Sequence, residues 1–507
     1  MAARDAFLHH TNEIMLIYYI ARAGYHRVML SGIAALQEKL IMSAQYHTPI
    51  ASPVTPGGLL PLLTLAIGFV MAMLDVTAVN VALPAISHAL SAPLSGLVWV
   101  VDGYTLTFGA LLLIGGALAD RYGAKTMYLS GLAVFMLGSL LCGAAPDGHT
   151  LIAARMLQGV GSALFMPSSL SLLTHAYEDD RVRARMLGSW SAIVAVAAAT
   201  GPLVGGMLVD SFGWRSVFLI NVPLGLLGLL LAQTVIPATP RQWRPLPAAS
   251  HALGVTALAG LSFTLIEGPG LGWTSAPILA AAALTAIAIA LLVRRERRGA
   301  EPLLPRALFA TPRFAAANTI GFLINFSTYG QLFLLSLFLQ QARGAGALQA
   351  GLQLLPMMAI FAVSNLMSGR ITARWGARAP ILGGLLLAAL SAALLTRMRL
   401  DTPYPLFALA VAIANWSVGI ASPAITATMM QLAGRSHANS AAAALNANRQ
   451  IGALVGVAVA GSILHAAASW DHRLPLVFGA ISLAYAGAAL LAWRYIESPA
   501  QAACAHA

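Results

Sequence analysis

A chain of 507 residues that is 59% hydrophobic and only 9% charged, with a mean hydropathy of +0.78, is too apolar for a soluble protein of its size. Its formal net charge of +12 would suit a nucleic-acid binder, but the basic residues are dispersed between apolar segments rather than gathered on one domain, so nucleic acid is not an expected partner. The two cysteines, Cys142 in an apolar run and Cys504 in the tail, offer neither metal-ligand spacing nor a disulfide pattern.

Residues 1–58 form an N-terminal extension unlike the rest, with a short apolar run from Ile14 to Ile20 and Pro49, Pro53 and Pro56 ahead of the first long span. It reads as an amphipathic surface segment or as a mis-assigned start upstream of Met42; the second is preferred, because none of its residues has a task in a chain of membrane spans. From Leu59 onward, apolar runs of about 20 residues follow one another, each long enough to cross a bilayer as a helix. They fall near 60–84, 97–119, 126–145, 150–174, 187–209 and 217–236, then 251–267 and 276–293, then 315–339, 349–369, 379–396, 405–430, 440–465 and 474–495. Fourteen spans in an all-α membrane protein therefore divide as six (59–236), two added helices with a Pro-rich connector (237–300) and six (301–497), followed by a tail, 498–507. Loops on one side carry eighteen Lys and Arg, against five on the other. Positive charge marks the cytoplasmic face, so both termini are expected there.

The basic side includes Gly116 to Lys125, GALADRYGAK, read as a tight membrane-surface loop in which Gly116 and Gly123 permit the turn and Asp120, Arg121 and Lys125 stay out of hydrocarbon. Moving 253 positions along gives Gly369 to Arg378, GRITARWGAR, with glycine, arginine, glycine and alanine in register. Such a repeat implies two similar helix bundles in tandem, the layout of a transporter.

Charges inside spans need a reason. Asp75, in LDVTAVNVALP, lies mid-depth in the first span, where a carboxyl can serve as a proton carrier or as one half of a permanent structural pair. Arg155 enters the fourth span, and Gln158, Gly159, Ser162, Met166 and Ser169 continue its face, which is expected to line a wet cavity. Arg155 and Asp102 both lie about 8 Å deep and Asp75 about 14 Å, so an arginine between two carboxylates could couple protonation to conformation or act as a static ion pair. GPLVGG in the fifth span joins the helix-distorting Pro202 to Gly201, Gly205 and Gly206, small residues that let helices approach closely; WRSVFLINVPLG follows it. In the second half Asn318, Phe322, Asn325 and Tyr329 share one stripe and Asn446, Arg449 and Gln450 another, suited to contacting a substrate or to bonding helices together. Glu267 falls at a span end and reads as structural.

Four motifs in order, LDVTAVNVALP, GALADRYGAK, RMLQGVGSA (Arg155 to Ala163) and GPLVGG, make the chain resemble the major facilitator superfamily, and within it the 14-span drug:proton antiporters of the EmrB/QacA type. The resemblance covers about Leu59 to Glu497. It implies the major facilitator fold, two pseudo-symmetric six-helix bundles plus two extra helices, and export of small molecules by alternating access driven by the proton gradient, without a cofactor. It also assigns Gly116, Asp120, Arg121, Gly123 and Lys125 to a latch between conformational states, Asp75 and Arg155 to proton handling, and Gly201, Pro202, Gly205 and Gly206 to the antiporter motif. Asp102 matches no family motif and rests on its depth alone. Ala373 stands where the first copy has Asp120, so the second loop should latch more weakly. The expected setting is a bacterial inner membrane, with lipid, protons and substrate as partners, a periplasmic adaptor as a candidate, and a monomer as the working unit. Rival loads are an endogenous metabolite or a siderophore-like compound, and a rival direction is proton symport. No metal cluster, GxSxG elbow or phosphate loop points to an enzyme.

Overall fold

A computed structural model describes residues 58–177, 179–239, 241, 248–298, 308 and 311–496. The N-terminal extension before residue 58, most of the connectors 240–247 and 299–307, and the tail lie outside the described residues. Fourteen described helices are long and apolar enough to cross a membrane: α1 (Leu60–Leu90), α2 (Leu94–Tyr122), α3 (Ala124–Ala144), α4 (Gly148–Ala176), α5 (Arg181–Phe212), α6 (Ser216–Val235), α7 (Ala248–Leu271), α8 (Ala276–Arg298), α9 (Pro312–Ala342), α10 (Ala347–Trp375), α11 (Arg378–Leu395), α12 (Tyr404–Gly434), α13 (Ser440–Ala466) and α14 (Trp470–Tyr495). All fourteen expected spans are present, and the described residues contain no strand.

One expectation needs correcting. The stretch from Gly116 to Lys125 is not an extended loop. Helix α2 runs through Gly116 to Tyr122, a single residue, Gly123, turns the chain at φ 95°, and α3 starts at Ala124. Only Gly123 needs a glycine backbone; at Gly116 the helix is regular and an added Cβ would meet nothing. The repeat obeys the same rule, with α10 passing through Gly369 to Trp375 and Gly376 turning at φ 74°. A helix that simply continues hydrogen-bonds its own backbone at the membrane surface, which a loop would leave to water. A third such turn, Gly434 at φ 67°, separates α12 from α13.

Glycine-to-backbone contacts set how closely the helices pack. In the first bundle α4 lies between α2 and α3: a Cβ on Gly159 would fall 2.5 Å from the Tyr104 carbonyl oxygen, and one on Gly161 2.8 Å from that of Gly131. In the second, Gly452 and Gly456 of α13 bring the Phe322 and Phe326 carbonyls of α9 so near that a Cβ at either glycine would collide with them. These close approaches replace hydrophobic drive, which is absent between helices in lipid.

The two halves meet through α1 with α9, α5 with α10, and α2 with α13. Near the end opposite Gly123, Ser336 donates to the Asn80 carbonyl at 2.6 Å and Gln340 to that of Val81 at 3.0 Å. There too Gly206 abuts Ala347, Gly351 abuts Pro202, and Gly461 abuts Val98. Helix α7 touches both halves: Trp99 of α2 donates to Glu267 at 2.7 Å, and Ser462 of α13 donates to the Leu265 carbonyl at 2.7 Å. Helix α8 packs on α7.

Candidate functional site

Asp75 is the sixteenth residue of the 31-residue helix α1, and its residue is 1% exposed. Arg155, also 1% exposed, forms an ion pair with it through Nη1 and Asp75 Oδ2. The other carboxylate oxygen, Oδ1, accepts from Asn221 Nδ2 at 3.2 Å and from Gln158 Nε2 at 3.3 Å. Gln158 in turn accepts from Arg155 Nη1 at 2.7 Å and donates to Ser139 Oγ at 2.7 Å, while Cys142 Sγ lies 3.3 Å from its Oε1. Arg155 Nε donates to the Val100 carbonyl at 2.9 Å, and the guanidinium lies 4.7 Å from the Tyr104 ring centre and 5.7 Å from that of Phe218. Both charges are thus taken up inside a polar knot with an aromatic wall, as a buried pair requires.

Local sequence explains the placement. Asp147 caps α4 by accepting from the Thr150 amide at 2.8 Å, which fixes the start of the helix and hence the height of Arg155. Gly138 sits against Gln158, where a Cβ would come within 2.7 Å of its side chain, so α3 presses the amide toward Asp75. Helix α6 breaks after Leu219 and resumes at Asn221, which puts the amide of that residue on Asp75.

Two site expectations are corrected here. The face of α4 running through Gln158, Gly159, Ser162, Met166 and Ser169 does not line a wet cavity: all five are buried, Gly159 fits beneath α2, and Ser162 accepts from Tyr104 Oη at 2.9 Å. Small and polar residues serve there to let helices approach and to satisfy one another. Nor does Arg155 stand between two carboxylates. Asp102 is fully buried and neither of its oxygens has a hydrogen-bond partner. It shares a face of α2 with Val98 and Gly109, which abut Gly461 and Gln450 of α13, so it points to the seam between the halves rather than to Arg155.

The remaining candidates are scattered. In the antiporter motif, Gly201 and Gly205 fit against Thr77 and Ala78 of α1, while Pro202 and Gly206 meet α10. In the loop motif, Lys125 Nζ donates to the Gln233 carbonyl at 2.9 Å, a cation placed at the C-terminal end of α6, and the Ala124 amide donates to Thr239 Oγ1. Asp120 and Arg121 are partly exposed, with the Arg121 guanidinium 5.5 Å from the Tyr122 ring centre. Asn325 spends its amide on the Gly321 carbonyl of its own helix, Asn318 keeps a buried Oδ1 without a partner, and Asn446 is exposed. Arg449 donates to Thr426 Oγ1 at 2.6 Å, and Tyr329 lies within electrostatic reach of both Arg449 and Tyr104. Sequence reasoning missed Asn221, Ser139 and Tyr104. The asparagine in WRSVFLINVPLG was the available signal, a lone amide in the otherwise apolar run from Val217 to Gly225.

A buried carboxylate with three side-chain donors inside the first six-helix bundle suits transport driven by ions. Solved structures with the same fold include the transporter PepTSo of the POT family, at TM-score 0.63 and 17% identity over 86% of this chain and 98% of that one. The inward-open xylose transporter XylE from E. coli matches at TM-score 0.60 and 14% identity over 86% and 96%. In sequence, a methylenomycin A resistance protein of Streptomyces coelicolor is 50% identical over 435 residues, 86% of this chain and 92% of that protein. One of Bacillus subtilis is 48% identical over 442 residues, 87% and 95%. The multidrug resistance protein Stp of Mycobacterium tuberculosis is 35% identical over 409 residues, 80% and 76%. Residues 65–457 match the Major Facilitator Superfamily, and the chain belongs to that family of membrane transporters.

Proposed function

We propose that this chain exports toxic small molecules in exchange for protons, with residues 59–236 and 301–497 rocking as two bundles about the buried Asp75. The Asp75–Arg155 pair carries this reading. While Asp75 is ionised the knot is neutral, with Arg155 Nη1 on Asp75 and Gln158 and Nε on the Val100 carbonyl. Adding a proton to Asp75 leaves the Arg155 guanidinium buried without its counter-charge, an expensive state that the bundle escapes by rearranging. Protonation is thereby tied to conformation.

Asp102 extends the idea to the seam. A carboxyl with no partner against α13 is tolerated while the halves are closed there, and it meets water when they part, so it is a second candidate for gaining and losing a proton during the cycle. The excess of basic residues on the Gly123 side supports a cytoplasmic setting for that side and both termini, in a bacterial inner membrane. The contacts joining the halves then lie on the outer side, held by Gly206, Gly351 and Ser336, and Lys125 ties the inner turn to α6 as part of the switch. The working unit is a monomer, and a periplasmic adaptor is an optional partner.

The kinship with methylenomycin A resistance proteins makes that antibiotic the first compound to test. Cells with and without this chain would be challenged with a panel headed by methylenomycin A, with and without a protonophore. Protection that vanishes with the gradient is expected; protection that survives its collapse rules out proton exchange.

A further inference from the structure

Arg449 is a cation in the membrane interior that faces no counter-charge among the described residues. It is the tenth residue of α13, roughly 14 Å along the helix from its start at Ser440. One Nη2 holds it to α12, donating to Thr426 Oγ1 at 2.6 Å and lying 3.4 and 3.5 Å from the Ser422 carbonyl and hydroxyl. Its Nε is buried with no hydrogen-bond partner. Among the described residues no carboxylate stands within electrostatic reach; its titratable neighbour is Tyr329 of α9.

The position is central. Gln450, the next residue, lies against Gly109 of α2, so this turn of α13 sits where the two halves face each other. Tyr329 lies within electrostatic reach both of Arg449 and of Tyr104, the aromatic wall of the Asp75 knot. Asn446, one turn nearer the Gly434 end on the same face, is exposed, and the Arg449 residue itself is only partly buried, so this face borders open space.

The charges there do not balance. Asp75 is already neutralised by Arg155. A cationic cargo lodged at Arg449 would be repelled by it and would find no carboxylate alongside, since Asp102 lies seven residues, roughly 10 Å, farther along α2 from the Gly109 that faces this turn of α13. An anionic cargo would find a guanidinium with unused donors, next to a phenol, in a medium where such a bond is strong.

We propose that Arg449 is the residue that recognises cargo, and that the cargo is an organic anion whose acidic group, such as a carboxylate, Arg449 grips between the halves. The proposal rests on the export reading above and names the class of compound exported. Helix anchoring through Thr426 alone would not require a guanidinium with an idle Nε.

Three dansyl probes matched in their ring system test it: dansylglycine, its methyl ester, and the amine made from ethylenediamine, which are negative, neutral and positive. Their uptake into inverted membrane vesicles carrying the full chain would be followed under a proton gradient, as the rate above that of vesicles lacking the chain. Dansylglycine should enter fastest, Arg449→Gln should slow it about tenfold with little effect on the other two, and Arg449→Lys should recover part of the rate. The amount of each variant in the membrane, measured by its fluorescence as a tagged fusion, separates recognition from folding. Preference for the ester or the amine, no uptake of any probe, or equal slowing of all three by Arg449→Gln overturns the anion site. The export reading is judged separately, by gradient-dependent protection of intact cells against antibiotics, and can stand when the anion site falls.

Discussion

Asn221 donates to Asp75 Oδ1 at 3.2 Å, and it does so because α6 is interrupted immediately before it. A charged acceptor makes this bond stronger than a neutral one. Replacing Asn221 with leucine should cost about 1.5–3 kcal/mol of stability, read from thermal unfolding of the purified protein, and should slow gradient-driven export. Asn221→Asp should be worse in both assays, since it sets a second negative charge beside the first.

Arg155 and Asp75 should show strong coupling in a double-mutant cycle. Arg155→Gln or Asp75→Asn alone leaves one charge buried without its partner and should destabilise by about 3–5 kcal/mol. The double variant removes both charges and should recover much of that loss while remaining unable to couple export to protons. Single losses that simply add would mean the pair is not the unit the geometry implies.

At the end opposite Gly123, a Cβ on Gly351 would run into the Pro202 carbonyl oxygen. Gly351→Ala should therefore hold the halves apart there, at an overpacking cost of about 1–3 kcal/mol. The check is a Ser336→Cys reporter in a background with Cys142 and Cys504 changed to serine. A membrane-impermeant thiol reagent should label it about tenfold faster when Gly351 is alanine.

Gly116 and Gly123 should separate cleanly. Gly123 sits at φ 95° and ψ 132°, so Gly123→Ala forces strain of about 1–3 kcal/mol into the α2–α3 turn. Gly116→Ala meets open space in a regular helix and should raise stability, read from melting, by about 0.5–1 kcal/mol.

Outside the spans, the Asp147 carboxyl is held below its ordinary range by the Thr150 amide and then by the Thr150 hydroxyl. A depressed value means the cap contributes stability above the ordinary carboxylate range and loses it as pH falls through the folded-state value. Amide protection at the start of α4, taken relative to the intrinsic exchange rate at each pH, should therefore fall in acid. Asp147→Asn, which caps without titrating, should flatten that dependence.

Much of this was legible because membrane helices announce themselves by length and composition: α1 to α14 match the expected runs, and the repeat at 253 positions places Gly123 and Gly376 in the same left-handed turn. The meeting of Asp75 with Arg155 was readable as opposite charges inside spans whose depths differ by about 6 Å, a gap a long arginine side chain can close. What was not readable was direction around a helix. Depth alone set Asp102 beside Arg155, whereas the faces of α2 send it to α13. Polarity alone made the Gln158 face look wet, whereas glycine packing closes it. Asn221 was hidden because its role depends on an interruption of α6 at Ile220, where Pro223 has no amide to give the Leu219 carbonyl, and that signal says where the helix is disturbed but not what the asparagine meets.

Helix α7 holds α2 through Trp99 and Glu267 and holds α13 through Leu265 and Ser462, and those two helices belong to halves that must separate for release on that face. One anchor has to be given up each time. At about 1 kcal/mol for a typical bond of this kind, the two bonds of α7 weigh against parting those helices.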